Sequence, residues 1–194
     1  MENYYEELPE GYKEAKVLDA KDGKFALWLN LASFPMAAVV LIPCYFKVKT
    51  YWEQEINSKE VILGCFCFLI AMIAYLVLHE LTHGLFYKIF TKKKLTFGIT
   101  LSCAYCGIPK GYVNKKTSFI STAAPLVIHS IWMILLICLL PANIWCIVVS
   151  LLFAVHFGGC SGDLTVMYLL LRFPKDVLVN DTGPKQTFYI KEKA

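Results

Sequence analysis

The chain has 194 residues, of which 57% are hydrophobic and 18% are charged, and its formal net charge is +4. Its mean hydropathy of +0.54 excludes the composition of a typical soluble globular protein and favours a membrane protein. The length leaves room for one membrane domain and not for a separate soluble domain.

Four apolar stretches are long enough to cross a bilayer as helices. They are residues 25–46, 61–90, 118–140 and 143–173. The sequence therefore predicts an all-α membrane protein with four transmembrane helices. We expect residues 1–24 to form an N-terminal segment, residues 25–173 the transmembrane domain and residues 174–194 a tail.

The distribution of lysine and arginine predicts the orientation in the membrane. Most of them lie in the N-terminal segment, the loop between the second and third spans, and the tail, whereas the opposite side has only Lys47, Lys49 and Lys59. Both termini are thus expected on the cytoplasmic side of the cell membrane. We interpret the run at residues 92–94 as part of this signal, ahead of an anionic-lipid or nucleic-acid role. Residues 1–24 lack the apolar core of a removable signal peptide.

The sequence His-Glu-Leu-Thr-His occupies residues 79–83, near the end of the second span. On a helix, this spacing puts His79 and His83 one turn apart on the same face, with Glu80 beside them. Such an arrangement is typical of two zinc ligands and a general base. Because ionisable side chains within a membrane span are costly, they usually serve function. The motif therefore predicts a Zn²⁺ site.

A catalytic zinc normally has a third protein ligand, for which His129, His156 and Asp163 are the candidates within the spans. The second and fourth spans are predicted to run in the same direction. His79, His83 and Asp163 then all lie about 30 Å along their helices, whereas His156 lies about 10 Å nearer the outer face. This depth favours Asp163, which the metal would also neutralise. His156, or a residue outside these spans, stays open as an alternative.

The remaining polar groups of the spans have two interpretations each. His156 is more typical of a hydrogen-bonded interior histidine than of a ligand, and both it and His129 are candidates for supporting a ligand or contacting substrate. The glycines at residues 158–162 favour either close helix approach or a break that brings Asp163 to the metal.

Residues 95–113 predict a short β-hairpin between the second and third spans, with its turn near residues 107–111. Its edge could hold an extended peptide, or the segment could be an ordinary interfacial loop. Cys103 and Cys106 form a lone CxxC pair in this segment. Without a second pair, it does not indicate a structural zinc site, and we expect no disulfide framework.

Four segments carry a resemblance to a known family: LPEGYKEAKVLDAKDGK, LHELTHGLFYKIF, STAAPLVI and HFGGCSGDLTVMYLL. They resemble a family of bacterial membrane proteins described as zincin peptidases. More distantly, the chain is similar to the site-2 proteases, and that resemblance implies Asp163 as the third zinc ligand. Two features depart from the site-2 pattern. Gly162 precedes the aspartate instead of following it, and Pro125 lacks the asparagine that usually accompanies it.

The function that these features predict is that of a membrane-embedded zinc metalloendopeptidase, with Glu80 as the general base. Its substrate would be a membrane-anchored protein or peptide cut near the cytoplasmic face. One alternative is an adaptor or immunity-type protein that zinc stabilises and that cleaves nothing. A metal transporter is a further alternative, although the ionisable groups cluster at one depth. Glu80 favours the enzyme, because a structural site needs no base.

Overall fold

The computed structural model describes residues 2–52, 57–99 and 104–192. These residues form five helices and seven strands. The helices are α1 (Gly23–Trp52), α2 (Ser58–Thr91), α3 (Lys115–Leu139), α4 (Ile144–Gly159) and α5 (Ser161–Arg172). The strands are β1 (Tyr4–Tyr5), β2 (Tyr12–Asp19), β3 (Thr96–Ile99), β4 (Ala104–Gly107), β5 (Tyr112–Asn114), β6 (Leu178–Asp181) and β7 (Lys185–Lys191).

Three helices, α1, α2 and α3, are long and apolar enough to cross a membrane. The predicted fourth span is divided into α4 and α5, which meet the same criterion only when the two are taken as one span. The division lies at Cys160, inside the glycine cluster. Large apolar side chains such as Phe34 and Ile62, which are 71% and 70% exposed, give these helices the apolar surface that lipid contact requires.

Five strands form an antiparallel sheet in the order β1-β5-β6-β7-β2. The all-α expectation is therefore wrong in this part of the chain. The strands come from the N-terminal segment, the residues before α3 and the tail, so the sheet joins segments that are far apart in sequence. Three of the strands, β1, β5 and β6, have four residues or fewer. Such short strands carry little local pattern, because their stability comes from the partners they pair with.

The predicted hairpin before α3 is present, but its turn is not where the sequence placed it. Thr96 of β3 pairs with Gly107 of β4, and Ile99 pairs with Ala104. Residues 100–103, which connect the two strands and include Cys103, lie outside the described residues. At the predicted turn, Gly111 adopts a φ of +93° and leads into β5, which belongs to the larger sheet.

The described chain divides into two compact units. The first contains Met1–Leu29, Leu78–Pro125 and Gly162–Ala194. Its core lies where the five-stranded sheet packs against α5 and the second half of α2. The fully buried members of this core include Tyr87 of α2, Leu170 of α5, Val179 of β6 and Phe188 of β7. The HELTH motif lies in this unit.

The second unit contains Asn30–Val77 and Leu126–Ser161. Its helical segments pack through small and β-branched residues, among them Val40 of α1 and Ala154 of α4. Gly158 has no room for a side chain, because a Cβ there would lie 2.9 Å from the carbonyl oxygen of Ser33. The side chain of Asn143 caps α4 by accepting bonds from two backbone amides of its first turn, as is usual at a helix N-terminus.

Candidate metal centre

The two histidines of the motif converge on one point. His79 and His83 are separated by one turn of α2, and their Nε2 atoms lie 3.2 Å apart. The rings are nearly perpendicular, at 77°, with their centroids 4.9 Å apart. Both side chains are 12% exposed. The regular helix thus directs both nitrogen lone pairs to the same small volume.

Asp163 completes this arrangement from the first turn of α5. Its Oδ2 atom is 3.3 Å from Nε2 of His79, and its Oδ1 atom is 3.4 Å from Nε2 of His83. Because α5 starts anew at Ser161, the carboxylate lies at a helix N-terminus, where a negative charge is favoured. Of the three candidates for a third ligand, the structure thus brings Asp163 next to both histidines of the motif.

The three donors fit a zinc ion. Atoms that hold tetrahedral zinc at about 2.0–2.1 Å lie about 3.3–3.4 Å from one another. The two Nε2 atoms are 3.2 Å apart, and the nearest carboxylate oxygen lies 3.3 Å from one of them and 3.4 Å from the other, a different oxygen in each case. The Nδ1 atom of His83 is 2.8 Å from the carbonyl oxygen of Ser121. Since a carbonyl only accepts, Nδ1 carries the proton and Nε2 keeps its lone pair for a metal. Two imidazoles and a carboxylate are a donor set typical of catalytic zinc.

Glu80 lies beside the donors. Each of three residues, His79, Glu80 and His83, offers one ligand atom, and these three atoms lie within 4.8 Å of one another. The carboxylate also accepts a hydrogen bond from the backbone amide of Cys106 in β4. A carboxylate held at the edge of a metal site in this way can take up and release a proton without being a ligand itself.

The β3–β4 hairpin packs directly on the zinc-motif helix. A Cβ atom at Gly84, the residue after the motif, would lie 2.7 Å from Cζ of Phe97 and 3.2 Å from Sγ of Cys106. Glycine at this position therefore allows the hairpin to approach α2 closely. The Cys106 thiol is buried, and burial, together with the charges of Asp181 and Glu80, raises its pKa to about 12. A thiol that stays protonated is a poor metal ligand and a poor nucleophile.

Two buried residues that were not predicted from the sequence lie next to this site. Tyr87 lies one turn after His83 on α2, and its hydroxyl donates to Oδ2 of Asp181 in β6 at 2.6 Å. The two residues are 1% and 4% exposed. Gln186 and the amide of Gly183 also donate to the Asp181 carboxylate. The continued four-residue spacing of positions 79, 83 and 87 was the available signal for Tyr87.

Asp181 is an unusual carboxylate because it is buried and, among the described residues, no cation is its hydrogen-bond partner. Burial raises its pKa to about 6, although the bonds from Tyr87 and Gly183 oppose the increase. Its backbone carbonyl accepts from the amide of Ile108, directly after β4, at 2.7 Å. Asp181 thus links the zinc-motif helix, the hairpin and the larger sheet.

The other two candidate histidines lie in the second unit, where both are buried. Nδ1 of His156 is 2.7 Å from the hydroxyl of Tyr75, and Nε2 is 3.1 Å from the hydroxyl of Ser130. His129 accepts a hydrogen bond from the indole of Trp132 at 2.9 Å, and its ring meets that of His156 edge to face. The structure therefore places His129 and His156 together in a hydrogen-bonded aromatic cluster.

The chain was compared with families of known proteins. Residues 72–178 match the model of a family described as "Putative zincin peptidase". The match covers the part of α2 that carries the zinc motif, the hairpin, α3, α4 and α5. Neither a curated protein nor a solved structure matches the chain.

Proposed function

The chain belongs to this zincin peptidase family, and from that premise we propose that it is a membrane-embedded zinc metallopeptidase. It would hydrolyse peptide bonds of membrane-anchored substrates near the cytoplasmic face. The observation that carries the proposal is the convergence of His79, His83 and Asp163. The two Nε2 atoms are 3.2 Å apart, and each lies 3.3 or 3.4 Å from one oxygen of the carboxylate. Three apolar helices of membrane length support its location in a bilayer.

His79, His83 and Asp163 would hold the metal through two Nε2 atoms and the carboxylate. When bound, zinc supplies Lewis acidity, which polarises a scissile carbonyl and makes water a stronger acid. The Ser121 carbonyl fixes the ring of His83 and the position of its proton. The aspartate supplies a negative charge, so the site as a whole carries less net charge than the ion alone.

Glu80 acts as the general base in this proposal. Its carboxylate accepts a proton from the attacking water as the oxygen forms its bond to the carbonyl carbon. The same proton then passes from Glu80 to the amine nitrogen as the carbon–nitrogen bond breaks. The Cys106 amide holds the carboxylate in place through both steps.

The outer edge of β3 is the proposed substrate-binding strand. Among the described strands, β3 pairs with β4 alone, and the side chains of Phe97 and Ile99 are 49% and 84% exposed. An extended substrate could add to this edge through main-chain hydrogen bonds. Because the hairpin packs against Gly84, a peptide on this edge would lie close to the motif helix.

The test uses purified protein in detergent micelles or bilayers with a panel of membrane-anchored peptides. Glu80→Gln should keep bound zinc and abolish cleavage, because glutamine cannot accept the proton. Glu10→Gln, which changes an exposed glutamate, serves as the matched control and should cleave as the unaltered protein does. Cleavage by Glu80→Gln at the rate of the unaltered protein would refute the mechanism. Zinc binding without any cleavage by the unaltered protein would favour the non-catalytic adaptor.

A further inference from the structure

A groove in the first unit combines lysines with an apolar wall. Its cavity volume is about 370 Å³, within the usual range for small-molecule sites. It is lined by Lys115, Lys116, Phe119, Ile120, Leu171 and Lys175. We refer to these six residues as the basic groove. Three of them are cations, three are apolar, and none is acidic.

The basic groove lies at the start of α3 and the end of α5. Lys115 is the first residue of α3, and its ammonium donates to the carbonyl oxygen of Phe173, directly after α5, at 2.8 Å. This bond ties the start of α3 to the end of α5. In a bilayer, such helix ends lie at the level of the lipid head groups. The groove therefore has its lysines at the head-group level and its apolar wall on helices that face the hydrocarbon.

Two of the lysines have no internal counter-ion. Within the described ranges, neither Lys116 nor Lys175 takes part in a salt bridge, and both are exposed. The neighbouring Arg172 is engaged differently, because its guanidinium bonds and stacks on Tyr168. Long lysine side chains lay their methylene groups along apolar surface and keep the ammonium in water. An anion above this groove would thus meet two ammonium groups that the protein does not neutralise.

We propose that the basic groove binds one anionic phospholipid. The phosphate of the head group would contact Lys116 and Lys175, and an acyl chain would lie along Phe119, Ile120 and Leu171. This occupant contacts both halves of the groove, whereas a soluble anion would contact the lysines alone. The proposal does not depend on zinc or on peptidase activity.

The competing explanation is a general attraction between a basic protein surface and anionic lipid. The two explanations differ in which lysines matter. A bound lipid needs the lysines of the groove, whereas a general attraction depends on the charge of the whole face. Lys94 and Lys110 are also exposed and belong to the same predicted cytoplasmic face, but they do not line the groove.

The experiment measures lipid binding to the purified full chain in detergent micelles by native mass spectrometry. The probes are phosphatidylglycerol, phosphatidylcholine and soluble glycerol 3-phosphate. Lys116→Gln with Lys175→Gln should weaken phosphatidylglycerol binding by about fivefold per lysine, or roughly 25-fold together. The charge-matched pair Lys94→Gln with Lys110→Gln should bind as the unaltered chain does. Leu171→Asn should also weaken binding while leaving every charge in place.

The expected result is one tightly bound phosphatidylglycerol per chain, with phosphatidylcholine binding more weakly and glycerol 3-phosphate failing to displace it. Equal losses in the two double variants would overturn the proposal in favour of general attraction. Equal binding of the two phospholipids would also overturn it. Displacement by glycerol 3-phosphate would show that the groove is not a lipid site. All the substituted side chains are on the surface, and equal melting temperatures would show that each variant is folded.

Discussion

Asp181 should make the stability of the protein fall as the pH rises through the weakly acidic range. Its pKa is raised from 3.8 to about 6 by burial, so the folded state holds a proton that the unfolded chain has already released. The corresponding stability is present below about pH 4 and is lost as the pH rises through 6. The difference between the two pKa values amounts to about 3 kcal/mol.

The perturbation that isolates this effect is Asp181→Asn. Asparagine keeps an oxygen for Tyr87 and Gln186 but turns an amide towards the amide of Gly183, which lowers stability by the same amount at every pH. The informative quantity is therefore the difference in unfolding free energy between the variant and the unaltered protein as a function of pH. This difference should shift by about 3 kcal/mol in favour of the variant between pH 3 and pH 7. In a chain of this size, that is roughly 6–12 °C in melting temperature.

The assay is thermal and denaturant unfolding of metal-free protein in detergent micelles at several pH values. Glu192→Gln is the control, because this exposed carboxylate pairs with Lys13 at 3.8 Å and such a pair contributes less than about 1 kcal/mol at the surface. The reasoning is refuted if the difference in unfolding free energy between Asp181→Asn and the unaltered protein does not change with pH. A shift of the opposite sign would also refute it, because it would mean that the folded state stabilises the charged carboxylate.

Three further predictions concern the metal centre and helix packing. Asp163→Ala should weaken zinc binding by more than about 100-fold, because losing a ligand costs more affinity than losing a residue that hydrogen-bonds to a ligand. The measurement is competition with a chelator, and unchanged affinity would exclude Asp163 as a ligand. Gly84→Ala should reduce cleavage by pushing the ring of Phe97 outwards, and Phe97→Ala in the same chain should restore it; no restoration would contradict this account. Gly158→Ala should destabilise the protein by about 1–3 kcal/mol, whereas Gly159→Ala, where a Cβ would meet nothing within 4 Å, should be neutral or stabilising by up to ~1 kcal/mol in thermal melts; equal effects would mean that helix contact at Ser33 is not what selects glycine.

The parts of the molecule that the sequence predicted are those set by local physics. The apolar spans appear as long helices, because a run of apolar residues of membrane length specifies a helix almost regardless of its neighbours. The pair of histidines on one face of α2 follows from helical periodicity alone. The break in the fourth span also lies where glycines allow one. Comparing depths along two helices was enough to select Asp163 as a candidate, because both helices have the same rise per residue.

The sheet could not be predicted in the same way. β1, β5, β6, β7 and β2 become a sheet only by pairing across the whole chain, and strand stability depends on these partners more than on each strand's own residues. The hairpin turn was misplaced for a related reason. Gly107 and Gly111 looked like a turn, but Gly107 is the last residue of β4 and Gly111 leads to a different sheet.

The sequence by itself determined that the chain carries HELTH on an apolar helix, and therefore two imidazoles and a carboxylate within two turns of one helix. Only the tertiary structure decided what surrounds them. It brings Asp163, 84 positions from His79 in the printed sequence, to within 3.3 Å, and it sets Asp181 against Tyr87 one turn beyond the motif. The physical reason is that ligand spacing within one helix is fixed by its hydrogen bonds, whereas contacts between segments depend on how the whole chain packs.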